Sequence, residues 1–151
     1  MKPVNHLLCG AVLAAGNYLL NREKDTSAAC FLGAFLCDTD HLIEYADYCR
    51  EFNCRPDFEE WYSGKYFDKK GTVKVIFHSW ELCFLSWILY FLVFYHVKNR
   101  CRFFEHIFRG LTIGYTSHLV LDHIGNNVKG RTYFLLYRWK HRWKQRDLDK
   151  S

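Results

Sequence analysis

The segment Gly114-Tyr115-Thr116-Ser117-His118-Leu119-Val120-Leu121-Asp122 sets a histidine and an aspartate into an otherwise apolar helical pattern. Residues four apart lie on one face of a helix with Cβ atoms ~5–6 Å apart, so His118 and Asp122 can reach one cation. Imidazole and carboxylate together suit Zn²⁺, Mn²⁺ or Fe²⁺ better than Ca²⁺ or Mg²⁺. Because polar groups on an apolar helix need partners once they are buried, this pattern predicts a helix whose polar pair faces other polar groups inside the protein.

Three further polar clusters interrupt apolar segments in the same way. His6 lies near the start of the chain, Asp38-Thr39-Asp40-His41 follows the second apolar segment, and His78 precedes the longest one together with Glu81. Taken singly, these residues suit a buried histidine, a helix cap and a charge at the rim of the core. Four polar clusters at the ends of packed helices are explained more simply by one shared site, and the spacing therefore predicts a divalent-metal site.

The rest of the chain predicts an all-α protein. Half of the residues are hydrophobic, and no alternating pattern of the kind found in β-strands stands out. Apolar periodicity and capping residues predict helices over residues 4–20, 28–37, 42–51, 73–100, 104–124 and 131–146, with Ser27 as the cap of the second. The 151 residues suit one domain, 1–151, built as a bundle of five or six helices around the metal site. Residues 53–72 are the least regular. A connection of this length is often a lid or rim over a site, but a short helix with loops that cover the core is the favoured interpretation.

The longest apolar run, residues 82–97, leaves two interpretations open. It is shorter than the ~20 residues of an ordinary membrane-spanning helix, which favours a buried core helix. Basic residues follow it at Lys98, Arg100 and Arg102, and such flanks also suit a short or tilted membrane segment.

The charge of the chain is unevenly placed. Its formal net charge is +5, and residues 131–146 hold six Lys or Arg residues and no acid. Tyr, Phe, Leu and Trp residues are interleaved with these charges, which predicts a final amphipathic helix on an anionic membrane surface. A solvated helix face is the alternative. The pattern predicts no specific nucleic-acid binding.

The seven cysteines include no C-x-x-C pair, and several lie within apolar runs. An odd number of such cysteines argues for a reducing compartment and against a disulfide framework or a cysteine-rich zinc finger. The first apolar segment is interrupted by Gly10 and Gly16, which favours a retained first helix over a secretory signal. We therefore expect a cytoplasmic, membrane-associated protein.

Four motifs, in order along the chain, carry a resemblance to a known family. They are Asn5-His6-Leu7-Leu8-Cys9-Gly10, Cys37-Asp38-Thr39-Asp40-His41, Phe77-His78-Ser79 and the segment 114–122. In these motifs the chain resembles the YdjM-like family of predicted membrane-bound metal-dependent hydrolases, which is distantly similar to the zinc-dependent phospholipase C fold. The resemblance implies an all-α bundle in which Asp122 bridges two ions. It implies a ligand set of His6, Asp38, Asp40, His41, His78, His118 and Asp122.

The chain departs from that family pattern in two places. The family's HRxxTHS arrangement has a second histidine before the one that matches His78. Here Val75-Ile76-Phe77 occupies that stretch, so a ligand is missing unless Glu81 replaces it. After Asp122 the chain continues with His123-Ile124-Gly125-Asn126, where the family more often has a threonine.

The resemblance and the ligand types together predict hydrolysis of a phosphoester, either a phospholipid or a soluble phosphodiester. A divalent ion, Zn²⁺ first and Mn²⁺ or Fe²⁺ after it, lowers the pKa of its bound water from 15.7 toward ~7. Asp40 or Glu81 is expected to orient that water or to accept its proton. The cations expected to meet the phosphate are Lys69, Lys70, Lys74 and Arg131.

Three other classes of protein stay open on the sequence. A di-iron bundle uses Glu-x-x-His on two helices, whereas this chain has a single His78-x-x-Glu81 in the reverse order. HD phosphohydrolases need His followed by Asp, and here the order is Asp40-His41 and Asp122-His123. The third class is a non-catalytic, membrane-associated interaction protein whose polar clusters form a structural metal site or a hydrogen-bond network. A closed coordination shell would distinguish it from an enzyme.

Overall fold

The computed structural model describes residues 3–96, 101–126 and 128–147, and these residues are all-α. The long helices of this part of the chain are α1 (Pro3–Asn21), α2 (Lys24–Leu36), α3 (Thr39–Glu51), α6 (Trp80–His96) and α7 (Arg102–Gly125). The short ones are α4 (Phe58–Ser63), α5 (Lys65–Lys70) and α8 (Leu135–Lys140). Short 3₁₀ helices, Gly130–Tyr133 and Gln145–Asp147, lie on either side of α8. The described residues contain no β-strand, and the predicted fold class is confirmed.

Helices α2 and α7 pack with their backbones in contact, and this contact fixes the centre of the molecule. A Cβ atom built at Gly114 of α7 would run into the carbonyl oxygen of Cys30 on α2. Only glycine therefore allows this approach. The contact brings His118, one turn beyond Gly114, against Ala34, whose carbonyl oxygen lies 2.8 Å from His118 Nδ1.

Around the candidate ligands the interior holds small and polar side chains, a cluster of buried tyrosines lies between α3 and α5, and many large apolar side chains face outward. Ala29, Cys30 and Ala34 of α2 are buried, together with Leu119 of α7. On α6 the apolar run lies largely on the surface, with Phe84, Leu85, Ile88, Leu89, Phe91, Leu92 and Val93 exposed. The interpretation of this run as buried core is therefore wrong. Within the described residues, no helix combines the length and the apolar character needed to cross a membrane.

Residues 73–79 are not helical, so the prediction of one helix over 73–100 is wrong at its start. Helix α6 begins at Trp80, and residues 97–100 lie outside the described residues. The cause is tertiary, because backbone N–H groups of this stretch donate to side chains of α3. Lys74 N–H donates to Glu44 Oε2 at 2.8 Å, and Phe77 N–H donates to Asp40 Oδ2 at 2.7 Å. A loop held in this way presents His78.

The prediction of one amphipathic helix over residues 131–146 is also wrong. The chain forms a 3₁₀ turn, then α8, and leaves the helix after Lys140. Arg142 and Trp143 have φ angles of 52° and 59°, and two successive residues in this region cannot continue a right-handed helix. Arg138 of α8 is only 2% exposed. The segment is therefore not a helix with one continuous basic face.

The other helices differ from the predictions mainly at their ends. Helix α2 begins four residues earlier than predicted, so Ser27 is not its cap, and the Ser27 hydroxyl donates to the Glu23 carbonyl oxygen at 2.8 Å. Helix α3 begins at Thr39 rather than at residue 42. Within the irregular stretch 53–72, the chain forms the two short helices α4 and α5.

Candidate metal centre

Six of the seven predicted ligands converge at one place. They are His6 of α1, Asp38 between α2 and α3, His41 of α3, His78 of the loop before α6, and His118 and Asp122 of α7. Their imidazole and carboxylate atoms form three overlapping groups, each with all atoms within 4.8 Å of one another. The groups are His6–Asp38–His118, Asp38–His41–His78 and His78–His118–Asp122. All of these residues except His41 are buried, and together they can hold a metal ion.

One of these groups, the trio His78, His118 and Asp122, has the spacing of metal ligands. The two Nε2 atoms lie 3.0 Å apart, and Asp122 Oδ2 lies 3.4 Å from His78 Nε2 and 3.5 Å from His118 Nε2. In a tetrahedral zinc site, bonds of ~2.0–2.1 Å put ligand atoms ~3.3 Å apart. The three atoms therefore match one face of a tetrahedral ion without rearrangement.

Hydrogen-bond acceptors at Nδ1 fix the orientation of both histidine rings of the trio. His118 Nδ1 lies 2.8 Å from the Ala34 carbonyl oxygen, and His78 Nδ1 lies 3.1 and 3.2 Å from the two carboxylate oxygens of Asp40. These partners only accept hydrogen bonds, so both Nδ1 atoms carry protons, and in the neutral rings both Nε2 atoms present lone pairs. Two lone pairs 3.0 Å apart repel one another unless a cation lies between them.

The electrostatics of the site favour positive charge. Burial lowers the pKa of His78, but hydrogen bonds to Asp38 and Asp40 and the nearby carboxylate charges outweigh it and raise the pKa to about 9. Burial raises the pKa of Asp122, yet hydrogen bonds to two histidines hold it well below its usual range. The cluster thus keeps this carboxylate ionised and attracts a cation, whether a proton or a metal.

The other candidate ligands surround the trio. His6 Nε2 lies 3.1 Å from Asp122 Oδ1, while Asp38 Oδ1 lies 3.5 Å from His78 Nε2 and 4.0 Å from His41 Nε2. His6 Nδ1 and Asp38 Oδ2 are buried without a hydrogen-bond partner among the described residues. Buried polar atoms are normally paired, so these two atoms favour a bound ion or water in the native site.

The two residues predicted as proton acceptors lie outside the three ligand groups. Asp40 accepts hydrogen bonds from His78 Nδ1 and from the Phe77 N–H, and a carboxylate behind a histidine ligand fixes its tautomer. Glu81 Oε1 instead accepts a hydrogen bond from the Leu136 N–H at 3.1 Å. In this structure Glu81 therefore does not take the place of the family's second histidine.

A cavity of about 370 Å³ lies beside the ligands. Four candidate ligands, Asp38, His41, His78 and Asp122, belong to its lining. Other lining residues come from α4, α5 and the C-terminal segment, among them Trp61, Tyr62, Tyr66, Phe67, Tyr133 and Arg138. Its size is within the range of small-molecule pockets.

Sequence reasoning missed Arg138, a buried cation in the cavity lining. Its guanidinium donates to the carbonyl oxygens of Val75 and of His78, the latter at 2.8 Å. Burial lowers the pKa of Arg138 to about 10, so the group is still charged at neutral pH. No signal in the sequence singles it out, because it is one of six basic residues among aromatic ones in residues 131–146.

The cations predicted to meet phosphate are engaged elsewhere. Lys70 forms a buried ion pair with Glu44 at 3.0 Å, and Lys69 pairs with Glu60. Arg131 stacks on an aromatic ring of α8. The cavity lining includes none of these cations, nor Lys74.

A comparison with family models identifies a related family. The model described as YdjM inner membrane protein matches residues 1–135, a range that contains every candidate ligand. No curated protein and no solved structure matches the chain, so the similarity to the zinc-dependent phospholipase C fold stays a prediction. Since the match covers most of the 151 residues, this chain belongs to the YdjM inner membrane protein family.

Proposed function

We propose that this protein is a metal-dependent hydrolase of phosphoesters and that the trio His78, His118 and Asp122 holds its metal ion. One observation carries the proposal: three buried atoms, His78 Nε2, His118 Nε2 and Asp122 Oδ2, lie 3.0, 3.4 and 3.5 Å apart, while both Nδ1 atoms are engaged by acceptors elsewhere. In the metal-free protein the raised pKa of His78 allows a proton to lie between these atoms, and a divalent ion would displace that proton. A divalent cation meets both the spacing and the charge.

The donor set indicates which ions suit the site. Two imidazole nitrogens and one carboxylate oxygen suit Zn²⁺ and also accept Mn²⁺ or Fe²⁺. His6, Asp38 and His41 lie next to the trio and can hold a second ion. Asp122 turns Oδ1 toward His6 and Oδ2 toward the trio, which supports the bridging role that the family resemblance implies.

A bound divalent ion supplies Lewis acidity and a water molecule whose pKa is lowered toward ~7. The chain contributes orientation, because Asp40 and the Ala34 carbonyl oxygen hold the two histidine rings with both Nε2 atoms directed at one point. Hydrogen bonds of this kind to the metal-ligating histidines keep the ligands in place while a substrate binds.

We propose Asp38 as the proton acceptor, in preference to Asp40 or Glu81. Asp38 lines the cavity, whereas the other two carboxylates do not. Each of the three carboxylates has a buried oxygen without a hydrogen-bond partner among the described residues, so access to the cavity is what distinguishes Asp38. A general base must lie within hydrogen-bond reach of the proton that it takes, and Asp38 Oδ1 lies 3.5 Å from His78 Nε2 and 3.7 Å from His118 Nε2, so it would be close to a water held by the trio.

The inner membrane is the proposed place of action. The description of the family names an inner membrane protein, and the exposed apolar side chains of α6 supply a surface that lipid can cover. Leu136 and Trp139, 71% and 72% exposed beside basic residues, add an anchor for an anionic membrane surface. A phospholipid is accordingly the first substrate class to test, and a soluble phosphodiester is the second.

A non-catalytic protein with a structural metal site is the alternative. Structural zinc sites have closed coordination shells, while catalytic ones keep a position open to substrate. Four candidate ligands of this site line a cavity, and this observation favours the enzyme.

The test is an assay of the purified full-length protein after loading with Zn²⁺ or Mn²⁺. We expect cleavage of bis-p-nitrophenyl phosphate or of phospholipid in vesicles, and Asp38→Asn should lower the rate by about 10²-fold or more. Asp47→Asn, the same substitution at an exposed position of α3, is the control and should leave the rate unchanged. A wild-type protein that retains its metal but cleaves neither substrate would contradict the hydrolase and support a structural site.

A further inference from the structure

We propose that Arg138 forms an oxyanion-binding subsite in this cavity, where it holds the phosphate group of a substrate beside the metal ligands. The inference rests on the proposed function for the identity of the substrate, whereas binding of phosphate itself needs no catalysis. Arg138 lies beyond residues 1–135, the range that the family model matches, so the match assigns it no role.

The first support is an unbalanced buried charge. The Arg138 side chain is 2% exposed, yet none of the carboxylates of the described residues forms an ion pair with it. Asp40 and Glu81 act on it only through their electrostatic field. Buried charges in proteins are normally paired. An anionic ligand in the cavity would supply the opposite charge.

The second support is the supply of unused donors. A guanidinium has five N–H groups, and Arg138 uses one on each terminal nitrogen for the carbonyl oxygens of Val75 and His78. Its Nε is buried without an acceptor among the described residues. The two carbonyl groups are neutral, so they orient the guanidinium without cancelling its charge. A fixed guanidinium with donors to spare is the group that proteins use to bind phosphate.

The third support is the distance to the metal ligands. Arg138 bonds directly to the backbone of His78, whose ring belongs to the trio, at 2.8 Å. Asp38, His41 and Asp122 line the same cavity. A phosphate group in this cavity would lie near both Arg138 and the metal ligands, the arrangement of a clamp on a phosphoryl group.

The test is calorimetric titration of inorganic phosphate into full-length protein that is loaded with Zn²⁺ and freed of excess metal. We expect the wild type to bind phosphate and Arg138→Gln to bind it about 10–100-fold more weakly at unchanged metal content, the range of one charge-assisted contact. Arg142→Gln, an exposed arginine outside the cavity lining, should bind like the wild type. Equal phosphate affinity in Arg138→Gln, or no binding by the wild type, would overturn the inference.

A second measurement needs no substitution, because Arg138→Gln also removes support from two carbonyl groups and a misfolded variant would not report on phosphate. A crystal structure of the metal-loaded wild type soaked in tungstate, a heavy analogue of phosphate, should show an anomalous peak within hydrogen-bond distance of Arg138. A peak elsewhere, or none, would refute the subsite. Phosphate bound by Arg138 in a protein that hydrolyses nothing would support the subsite and refute the hydrolase.

Discussion

His118 is held on both sides: α7 carries it, and the Ala34 carbonyl oxygen of α2 fixes its Nδ1 at 2.8 Å. The residue is fully buried, and its Nε2 lies 3.0 Å from His78 Nε2. A side chain of this kind has no conformational freedom with which to avoid its neighbour. Its Nε2 is therefore held in the position of a metal ligand.

Replacing His118 by alanine should remove the metal. The substitution takes one of the three atoms of the trio, and we expect the bound metal of purified protein to fall to about a tenth of the wild-type content or less. Elemental analysis by mass spectrometry measures this. His123→Ala, an exposed histidine of the same helix, should keep the metal. Wild-type and His118→Ala proteins with the same metal content would contradict the site.

Replacing Asp40 by asparagine should lower the metal affinity without abolishing metal binding. The amide can still accept from one of the two donors that Asp40 serves, His78 Nδ1 and the Phe77 N–H, but it no longer carries the charge that strengthens the ligand. Loss of a carboxylate behind a ligand typically costs 10–100-fold in metal affinity. Competition with a chelating dye measures the affinity.

The control for this variant is Asp25→Asn, at an exposed position of α2. It changes the net charge by the same amount far from the ligands. A comparable loss of affinity in Asp25→Asn would mean that net charge, rather than the contact with His78, sets the affinity.

Between helices, the contact of α2 with α7 is the one that positions the ligands. Gly114→Ala would press a methyl group against the Cys30 carbonyl oxygen, and overpacking of this kind costs about 1–3 kcal/mol. We expect a lower thermal unfolding midpoint and, since His118 follows one turn later, a lower metal affinity. Gly16→Ala in α1, where a Cβ meets nothing within 4 Å, should stabilise the helix by ~0.5–1 kcal/mol. Equal effects of the two substitutions would refute the close contact.

The sequence predicts those features that are determined by residues close together along the chain. The spacing of His118 and Asp122 is a property of one helix, and α7 begins and ends within two residues of its predicted limits. The gathering of His6, Asp38 and His78 near this pair followed from four interruptions of apolar helices and from the family motifs. Apolar patterns also suffice for the fold class.

Prediction from the sequence fails where a contact between distant segments determines the backbone conformation. Residues 73–79 look helical, but their N–H groups bond to Asp40, Glu44 and the carbonyl oxygen of Trp143. Nothing within that stretch encodes these partners. Arg138 was missed for the same reason, since its burial depends on Val75 and His78, some sixty residues earlier.

At the scale of the whole molecule, the distribution of side chains suits the membrane location proposed above. Small and polar residues fill the centre around the ligands, and bulky apolar residues of α6 face outward. In lipid, association of helices depends on close backbone contact of small residues rather than on burial of large ones. The glycine contact between α2 and α7 suits such surroundings.

A charge on the outer face of α6 should therefore weaken membrane association. Ile88 is 53% exposed, so Ile88→Glu leaves the interior intact while it places a carboxylate on the proposed lipid surface. We expect less protein to float with phospholipid vesicles in a density gradient, at unchanged metal content. Ala46→Glu, which adds the same charge to an exposed position of α3, is the control. Equal flotation of both variants and the wild type would contradict a lipid-facing α6.

The C-terminal segment closes over the loop that carries His78. Arg138 bonds to two carbonyl groups of that loop, the carbonyl oxygen of Trp143 accepts from Val73, and the Gln145 N–H donates to the Gly71 carbonyl oxygen. A chain shortened to residues 1–135 would keep every candidate ligand and the whole range that defines the family. It would nonetheless lose these hydrogen bonds, so we expect the loop that carries His78 to be held less firmly than in the full chain. We therefore expect a proteolytic cut after residue 135 to lower the metal affinity, although all of the candidate ligands stay in the chain.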